Sequence, residues 1–249
     1  MRRIITLITD FGTADGYVAE VKGVLLSGAP EANVVDLTHD IPPQDVEAAR
    51  LALARAWQRF PDGTVHLVVV DPGVGSAREA LAVSSRGRFL LGPDNGVLSP
   101  ALVPGGADVV SLPISPRASA TFHGRDVFAP AAVRLAAGES LERLGTPKTD
   151  PVIRRTPDAV RRPDGRIAGQ VIIVDRFGNL ITNIGARLGG TVELCGRRIG
   201  VCRTYSDVGA GDLLALGGSS GFIEVAVRGG SAAVALGARR GDAVLWLPS

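Results

Sequence analysis

The stretch VHLVVVDPGVGSAR, residues 65–78, decides the fold of the first half of the chain. Residues 65–70 form a run that is apolar apart from one histidine, as expected of a parallel strand buried on both faces. Pro72 favours an extended conformation for Asp71, the residue that follows the run. Asp71 is therefore predicted to project from the carboxyl end of the strand, where parallel α/β sheets bind ligands.

The glycines of this stretch predict a loop that folds back on itself. Seven extended residues would carry Arg78 roughly 23 Å from Asp71, whereas Gly73 and Gly75 allow the chain to reverse. In the reversed loop, the Arg78 guanidinium would pair with the Asp71 carboxylate and keep it charged. The stretch alone is compatible with a catalytic pair and with an ion pair that only braces the loop.

Short apolar runs alternate with stretches of helical periodicity up to about residue 150. Strands are predicted at residues 4–9, 33–38, 65–70, 89–92 and 109–114, and helices near residues 17–25, 46–57 and 128–135. This alternation predicts an α/β domain with a mostly parallel sheet over residues 1–150.

The second half of the chain has a different sequence pattern. Short β-rich runs separated by glycine-rich turns follow from residue 166: QVIIVD, LITNI, TVELC, IGVCRT, LLALG, FIEVAV, AAVAL and AVLWLP. Their spacing predicts a small C-terminal β-barrel over residues 166–249. The charged segment 151–165 is predicted to be a linker.

Composition limits the kinds of partner. The net charge is only +2, so a basic surface that would bind nucleic acid or an anionic membrane is not expected. A small molecule is the more plausible ligand. The N-terminus is predicted to be a strand and not a signal peptide, and no apolar run approaches the roughly 18 residues of a membrane span. Cys195 and Cys202 are expected to be reduced thiols, and a cytoplasmic protein is predicted.

Five further residues of the first half invite a functional interpretation. Asp10 ends the first strand and could accept hydrogen bonds from a ribose diol, or, like Asp15, could cap the next helix. Of the three histidines, His123 in TFHGRDVFAP is the best candidate for a general base. His66 lies inside the buried strand and His39 in a loop, so structural roles are expected for both.

Two stretches of the second half could bind a ligand or simply form turns. In DRFGNLITN, Phe177 could stack on a base, with Asp175 and Asn179 beside it. In GGSSGFIEVAVRGGSAA, Ser219 and Ser220 could clasp a carboxylate. Both stretches are also compatible with tight hairpin turns.

Seven motifs in one order resemble a known family. They are TDFGTADGYVAEVKG, LTHDIPPQDVEAA, VVDPGVGSAR, GPDNGVL, TFHGRDVFAP, DRFGNLITN and SSGFIEVAVRGGSAA. Together they closely resemble the S-adenosyl-L-methionine hydroxide adenosyltransferases, which are S-adenosylmethionine hydrolases related to fluorinase and chlorinase enzymes. The resemblance covers essentially the whole chain. It implies a Rossmann-like domain, a β-barrel, and a homotrimer whose sites lie between subunits.

The resemblance also implies roles for individual residues. Asp71, Arg78 and His123 would activate a water molecule. The implied substrate-binding residues are Asp10 at the ribose hydroxyls, Asp15 and Asp175 at the methionine end, Phe177 and Asn179 at adenine, and Ser219, Ser220 and Glu224 near the methionyl group. No cofactor or metal is expected, because S-adenosyl-L-methionine is the substrate and its sulfonium leaves as neutral methionine.

Departures from the fluorinase pattern favour water as the nucleophile. Fluorinase-like relatives carry a tyrosine where this chain has Asp71 and another where it has His123, and a carboxylate would repel a halide. The long insertion typical of fluorinases is also absent after SSRGRF. Whether Asp71 or His123 takes the proton of the water is left open.

Two alternatives belong to other functional classes. One is a metal-dependent nucleotidase with ligands from Asp10, Asp15, Asp71, Asp94 and His123. The other is a non-catalytic module that binds adenosine or S-adenosylmethionine.

Overall fold

A computed structural model of the protein describes residues 3–103 and 105–249. The chain forms two compact units, Met1–Arg155 and Thr156–Ser249, and the division falls within the segment 151–165. Each unit has an apolar core of its own. Within the described ranges, no helix combines the length and the apolar character needed to cross a membrane.

In the described part of the first unit, seven strands form one sheet with helices packed against it. The strands are β1 (Ile4–Thr9), β2 (Asn33–Thr38), β3 (Val65–Val69), β4 (Ala80–Ser85), β5 (Arg88–Pro93), β6 (Asp108–Leu112) and β7 (Thr146–Pro147). The α-helices are α1 (Tyr17–Gly28), α2 (Val46–Ala56), α3 (Ser99–Leu102) and α4 (Ala129–Ala136), and single 3₁₀ turns span Trp57–Arg59 and Leu141–Arg143. The predicted α/β class is confirmed.

The strand β3 lies at the centre of the parallel part of the sheet. Its neighbours β1 and β5 both run parallel to it. Val65 and Val69 face the core that contains α1 and α4, whereas Val68 faces the core that contains α2. Burial on both faces explains the continuous apolar run. Thr9 of β1 pairs with Val69 of β3, so the residues that follow both strands leave the sheet at one edge.

The strand β4, which the apolar pattern did not reveal, makes the other half of the sheet antiparallel. The strand order is β2-β1-β3-β5-β4-β6-β7, and β4 runs antiparallel to both β5 and β6. Ala80, the first residue of β4, pairs with Pro93 at the end of β5. Arg78, which precedes β4, therefore lies at the same edge of the sheet as Asp71, which follows β3.

The described second unit contains a closed β-barrel. Its strands are β8 (Val160–Arg161), β9 (Ile167–Val174), β10 (Leu180–Gly185), β11 (Thr191–Leu194), β12 (Arg197–Cys202), β13 (Leu213–Gly217), β14 (Phe222–Val227) and β15 (Ala243–Leu247). Pairing of β10 with β9 closes the seven strands β9–β15 into a ring, which confirms the predicted barrel. The short strand β8 lies inside the segment 151–165, which was predicted to be a linker, and it pairs with β9.

One predicted strand is wrong. The run AAVAL forms a short helix, α5 (Ala232–Leu236). The hydroxyl oxygen of Ser231 accepts a hydrogen bond from the Val234 amide at 3.2 Å and caps the first turn. Three alanines in this run also favour a helix over a strand. A single 3₁₀ turn, Tyr205–Asp207, follows β12.

Candidate active site

Asp71 and Arg78 form a two-point ion pair at the carboxyl edge of the first sheet. Arg78 Nε donates to Asp71 Oδ1 at 3.0 Å, and a terminal guanidinium nitrogen donates to Oδ2. The side chains are 10% exposed for Arg78 and 6% for Asp71. The loop reverses at Gly75, where φ is 77° and a Cβ would stand 2.5 Å from the Ala120 carbonyl oxygen. The two hydrogen bonds fix the orientation of the carboxylate.

The Arg78 guanidinium also contacts His123. Its Nη2 atom lies 2.8 Å from His123 Nδ1. A guanidinium has only donors, so Nδ1 must accept, and the neutral imidazole then carries its proton on Nε2. Burial, followed by the nearby Arg78 charge, lowers the pKa of His123. His123 is therefore a neutral ring that can donate a hydrogen bond through Nε2–H.

The segment that carries His123 is held by a π-helical turn, Gly124–Phe128, immediately before α4. The Asp126 carboxylate accepts a hydrogen bond from the Ser119 amide at 2.8 Å. It also forms an ion pair with Arg125, with 2.7 Å between Nε and Oδ1. The Phe128 ring lies under the Arg78 guanidinium, with 5.6 Å between the carbon of the cation and the ring centroid. These contacts set the position of the imidazole relative to the ion pair.

Asp10 lies at the end of β1, on the same edge of the sheet. Its Oδ2 atom accepts a hydrogen bond from the Gln44 amide at 2.7 Å, and Oδ1 has no partner among the described residues. His39 Nδ1 lies 2.8 Å from Thr9 Oγ1, and the His39 carbonyl accepts from the Gly12 amide at 2.9 Å. His39 thus supports the loop after β1, in the structural role expected for it.

Asp15 and His66 also have defined places. Asp15 is exposed in the turn before α1, whose N-cap residue is Gly16 without a side-chain cap, so Asp15 does not cap this helix. His66 is fully buried in β3, and its Nδ1 atom lies 2.7 Å from Thr6 Oγ1. Neither residue forms a hydrogen bond or an ion pair with Asp71 or Arg78.

In the second unit, Asp175 braces the turn between β9 and β10. Its Oδ1 atom accepts from the amides of Phe177 and Asn179, both at 2.9 Å, and its Oδ2 atom accepts from Asn179 Nδ2 at 3.1 Å. Asn179 is buried, whereas the Phe177 ring is 74% exposed at the tip of the turn. The turn therefore presents an aromatic face to its surroundings.

Tyr205 joins this turn to Glu224 of β14. The Tyr205 hydroxyl donates to Glu224 Oε1 at 2.5 Å and receives a longer contact, 3.4 Å, from Asn179 Nδ2. Burial, followed by the hydrogen bond to Glu224, raises the pKa of Tyr205, so the hydroxyl stays protonated. Ser219 and Ser220 lie in the turn between β13 and β14, and no hydrogen bond ties down either hydroxyl within the described structure.

The structure thus gathers the predicted residues into groups within each unit. Asp71, Arg78 and His123 meet in the first, and Asp175, Asn179 and Glu224 are connected in the second. Tyr205 was missed, because nothing in the local sequence points from the 3₁₀ turn to β14. No three His, Cys, Asp or Glu side chains in the described ranges gather as metal ligands would.

Comparison with known proteins identifies the family. Residues 5–145 match the model of the SAM hydroxide adenosyltransferase N-terminal domain, and residues 169–245 match that of its C-terminal domain. The chain belongs to the SAM hydroxide adenosyltransferase family. The family resemblance seen in the seven motifs is therefore confirmed.

Individual members of the SAM hydroxide adenosyltransferase family and their relatives match along most of the chain. The (R)-S-adenosyl-L-methionine hydrolase of Thermus thermophilus is 45% identical, over 98% of this chain and 100% of that protein. A fluorinase of Actinopolyspora mzabensis is 31% identical, over 74% of this chain and 72% of its own. The crystal structure of an uncharacterized conserved protein from Thermotoga maritima has a TM-score of 0.89 at 33% identity, over 98% and 99% of the two chains.

Proposed function

We propose that this protein hydrolyses S-adenosyl-L-methionine to adenosine and L-methionine. The observation that carries the proposal is the single guanidinium, that of Arg78, which bonds both the Asp71 carboxylate and His123 Nδ1. This arrangement offers a fixed proton acceptor and a fixed donor close together. The 45% identity with a curated hydrolase over nearly the whole chain supports the same substrate.

The proposed reaction is a displacement at the ribose 5′ carbon. The water oxygen bonds to C5′ as the bond between C5′ and sulfur breaks, and the electron pair of that bond remains on sulfur. Methionine leaves as a neutral thioether, so no general acid is needed. The proton lost by the attacking water passes to the Asp71 carboxylate and then to solvent. Orientation of the water supplies much of the acceleration, and a positioned base typically adds about 10²–10⁴-fold.

His123 acts in this proposal as a donor and not as the base. Its Nδ1 lone pair is occupied by Arg78, and its Nε2 atom already carries the proton. The Nε2–H group would hold the water oxygen, while one hydrogen of the water points to Asp71. Arg78 holds the Asp71 carboxylate in place and keeps the imidazole in the donor tautomer.

The remaining residues are proposed to bind the substrate. Asp10 has a free carboxylate oxygen for the ribose hydroxyls, and Asp15 is exposed for the methionine end. The exposed Phe177 ring offers a face on which adenine can stack. The family implies further contacts from Asp175, Asn179, Ser219, Ser220 and Glu224.

The assembly and the location of the protein are part of the same proposal. The family resemblance supports a homotrimer whose sites lie between subunits, which light scattering coupled to gel filtration would test. Both cysteines are free thiols, which agrees with a cytoplasmic location. Cell fractionation followed by immunoblotting would test the location.

The decisive experiment is hydrolysis in ¹⁸O-labelled water. The purified, chelator-treated protein is incubated separately with each sulfonium epimer of S-adenosyl-L-methionine, since the Thermus relative is named for the (R) form. Adenosine and methionine in equal amounts are expected, with the label in the adenosine 5′-hydroxyl. Asp71→Asn is the inactive control.

Other outcomes would reject the proposal and select an alternative. Turnover that requires added metal would support the nucleotidase. Tight binding of substrate or adenosine without turnover would support the non-catalytic module. Formation of 5′-chloro-5′-deoxyadenosine or 5′-fluoro-5′-deoxyadenosine in the matching halide salt would show that a halide replaces water.

A further inference from the structure

The motif GPDNGVL contains a loop, residues 94–96, to which the proposed reaction assigns no role. This loop follows β5 and lies beside the end of β3. Asn95 Nδ2 donates a hydrogen bond to the Val70 carbonyl oxygen at 2.9 Å, and Asn95 Oδ1 accepts from the Val97 amide at 3.1 Å. The Asn95 side chain therefore binds the peptide that directly precedes Asp71.

The same loop also binds the chain directly after Arg78. The Asp94 amide donates to the Glu79 carbonyl oxygen at 2.9 Å. Arg78 Nη1 approaches that carbonyl at 3.4 Å. Asp94 and Asn95 thus hold the two ends of the loop 71–78. This is the loop whose first and last side chains form the ion pair.

The Val70 carbonyl has a particular need for this partner. Val70 is fully buried, and it lies beyond the last paired residue of β3. A buried carbonyl without a hydrogen bond is costly. The Asn95 amide supplies the donor that a neighbouring strand would otherwise provide.

The loop itself has a fixed conformation. Gly96 has a φ of 91°, and a Cβ there would stand 2.4 Å from Arg154 Cγ, so only glycine fits. Arg154 Nε donates to the Asn95 carbonyl at 2.7 Å, and the Val152 amide donates to Asp94 Oδ1 at 2.7 Å. Asn95 is therefore held through its main-chain carbonyl as well as through its side chain.

We propose that Asn95 is a positioning residue that sets the geometry of the Asp71–Arg78 pair, and through it the contact with His123. The inference rests on the proposed hydrolysis for its effect on activity, but its structural part does not. A displacement of well under 1 Å at Val70 would suffice to misalign a two-point ion pair, since such sites tolerate about 0.5 Å.

The test compares Asn95→Asp with Asn33→Asp. Asn95→Asp keeps the shape and the acceptor for Val97 but replaces the donor to Val70 by an oxygen. Asn33 is exposed at the start of β2, so the same chemical change there is a matched control. We expect kcat to fall roughly 10–100-fold in Asn95→Asp with KM within about threefold, and no change in Asn33→Asp.

A second measurement needs no substrate. The chain has three histidines, whose ring signals can be assigned by single substitutions and titrated by NMR. His123 faces Arg78, Asp71 and Asp126, so a displaced Arg78 changes its titration. In Asn95→Asp the His123 curve is expected to move towards the ordinary histidine value, with the His39 and His66 curves unchanged.

The outcomes separate the two proposals. If the wild type does not hydrolyse S-adenosyl-L-methionine, the proposed function fails, while the titration still decides the role of Asn95. An unchanged His123 curve in Asn95→Asp overturns the positioning role. Equal shifts of all three histidines also overturn it, because they indicate a general loss of structure. A rise in KM at constant kcat overturns it too, because the loop would then serve substrate binding.

Discussion

His123 Nδ1 lies 2.8 Å from a guanidinium nitrogen of Arg78, a group that can only donate. The imidazole is thereby fixed as a neutral ring with its proton on Nε2. A histidine in this state cannot accept a proton from water without first losing its bond to Arg78. This geometry supports the proposed roles, in which Asp71 accepts the proton of the water and His123 donates a hydrogen bond to its oxygen.

The first prediction concerns His123→Gln and His123→Ala. Glutamine can place an amide N–H close to the position of Nε2–H but is not a base. We expect His123→Gln to retain at least tenfold more kcat than His123→Ala, measured by the release of adenosine. Equal loss in the two variants would indicate that the basic nitrogen itself is needed.

The pH dependence of kcat/KM follows from the lowered pKa of His123. Protonation of His123 would remove the lone pair that accepts from Arg78, so activity should fall on the acid side. Because burial lowers this pKa, the fall is expected below the ordinary histidine value of about 6.5. The fall of kcat/KM on the acid side should be absent in His123→Gln. If it persists in that variant, the titration of another group causes it.

Asp71→Asn separates binding from turnover. The amide keeps the size of the side chain but is a poor proton acceptor and leaves the Arg78 charge uncompensated. We expect kcat to fall about 10²–10⁴-fold, with the Kd for S-adenosyl-L-methionine, measured by calorimetry, changed by less than about tenfold. A fully active Asp71→Asn enzyme would refute the assignment of Asp71 as the acceptor.

Buried His66 predicts an acid-sensitive fold. Burial lowers the pKa of His66 to about 4, so the unfolded chain binds more protons than the native state between pH 6.5 and 4. The free energy of unfolding should therefore decrease as pH falls through this range, by roughly 3 kcal/mol in total from this group. Urea denaturation at several pH values measures it. His66→Gln, which does not titrate, should lose this part of the slope, and an identical slope in both proteins would contradict the prediction.

Tyr205→Phe tests the connection between the turn and β14. Glu224 is 9% exposed, and loss of the hydroxyl removes the partner of its Oε1 atom. We expect a loss of about 1–3 kcal/mol in the free energy of unfolding. Glu224→Gln and the double variant with Tyr205→Phe and Glu224→Gln complete a double-mutant cycle, which measures the coupling energy of the two side chains. A coupling energy near zero would show that the hydrogen bond contributes nothing to stability.

The sequence was most informative where one physical requirement dominates. A strand covered on both faces must be apolar throughout, so β3 and the edge where Asp71 emerges could be predicted. The return of Arg78 followed from glycines that permit reversal. The Tyr205–Glu224 contact joins residues distant in sequence, and no local pattern encodes it. AAVAL was misassigned because its apolar residues fit a strand, whereas the capping by Ser231 and the alanines decide for a helix.

At Gly75 the backbone leaves space for no more than a hydrogen atom against the Ala120 carbonyl. The loop that carries Asp71 and Arg78 therefore interlocks with the segment that leads to His123, and neither loop can be remodelled alone. Transfer of this site to another scaffold would have to move both loops as one piece. A side chain at position 75 would separate the ion pair from the imidazole even though all three functional groups were still present.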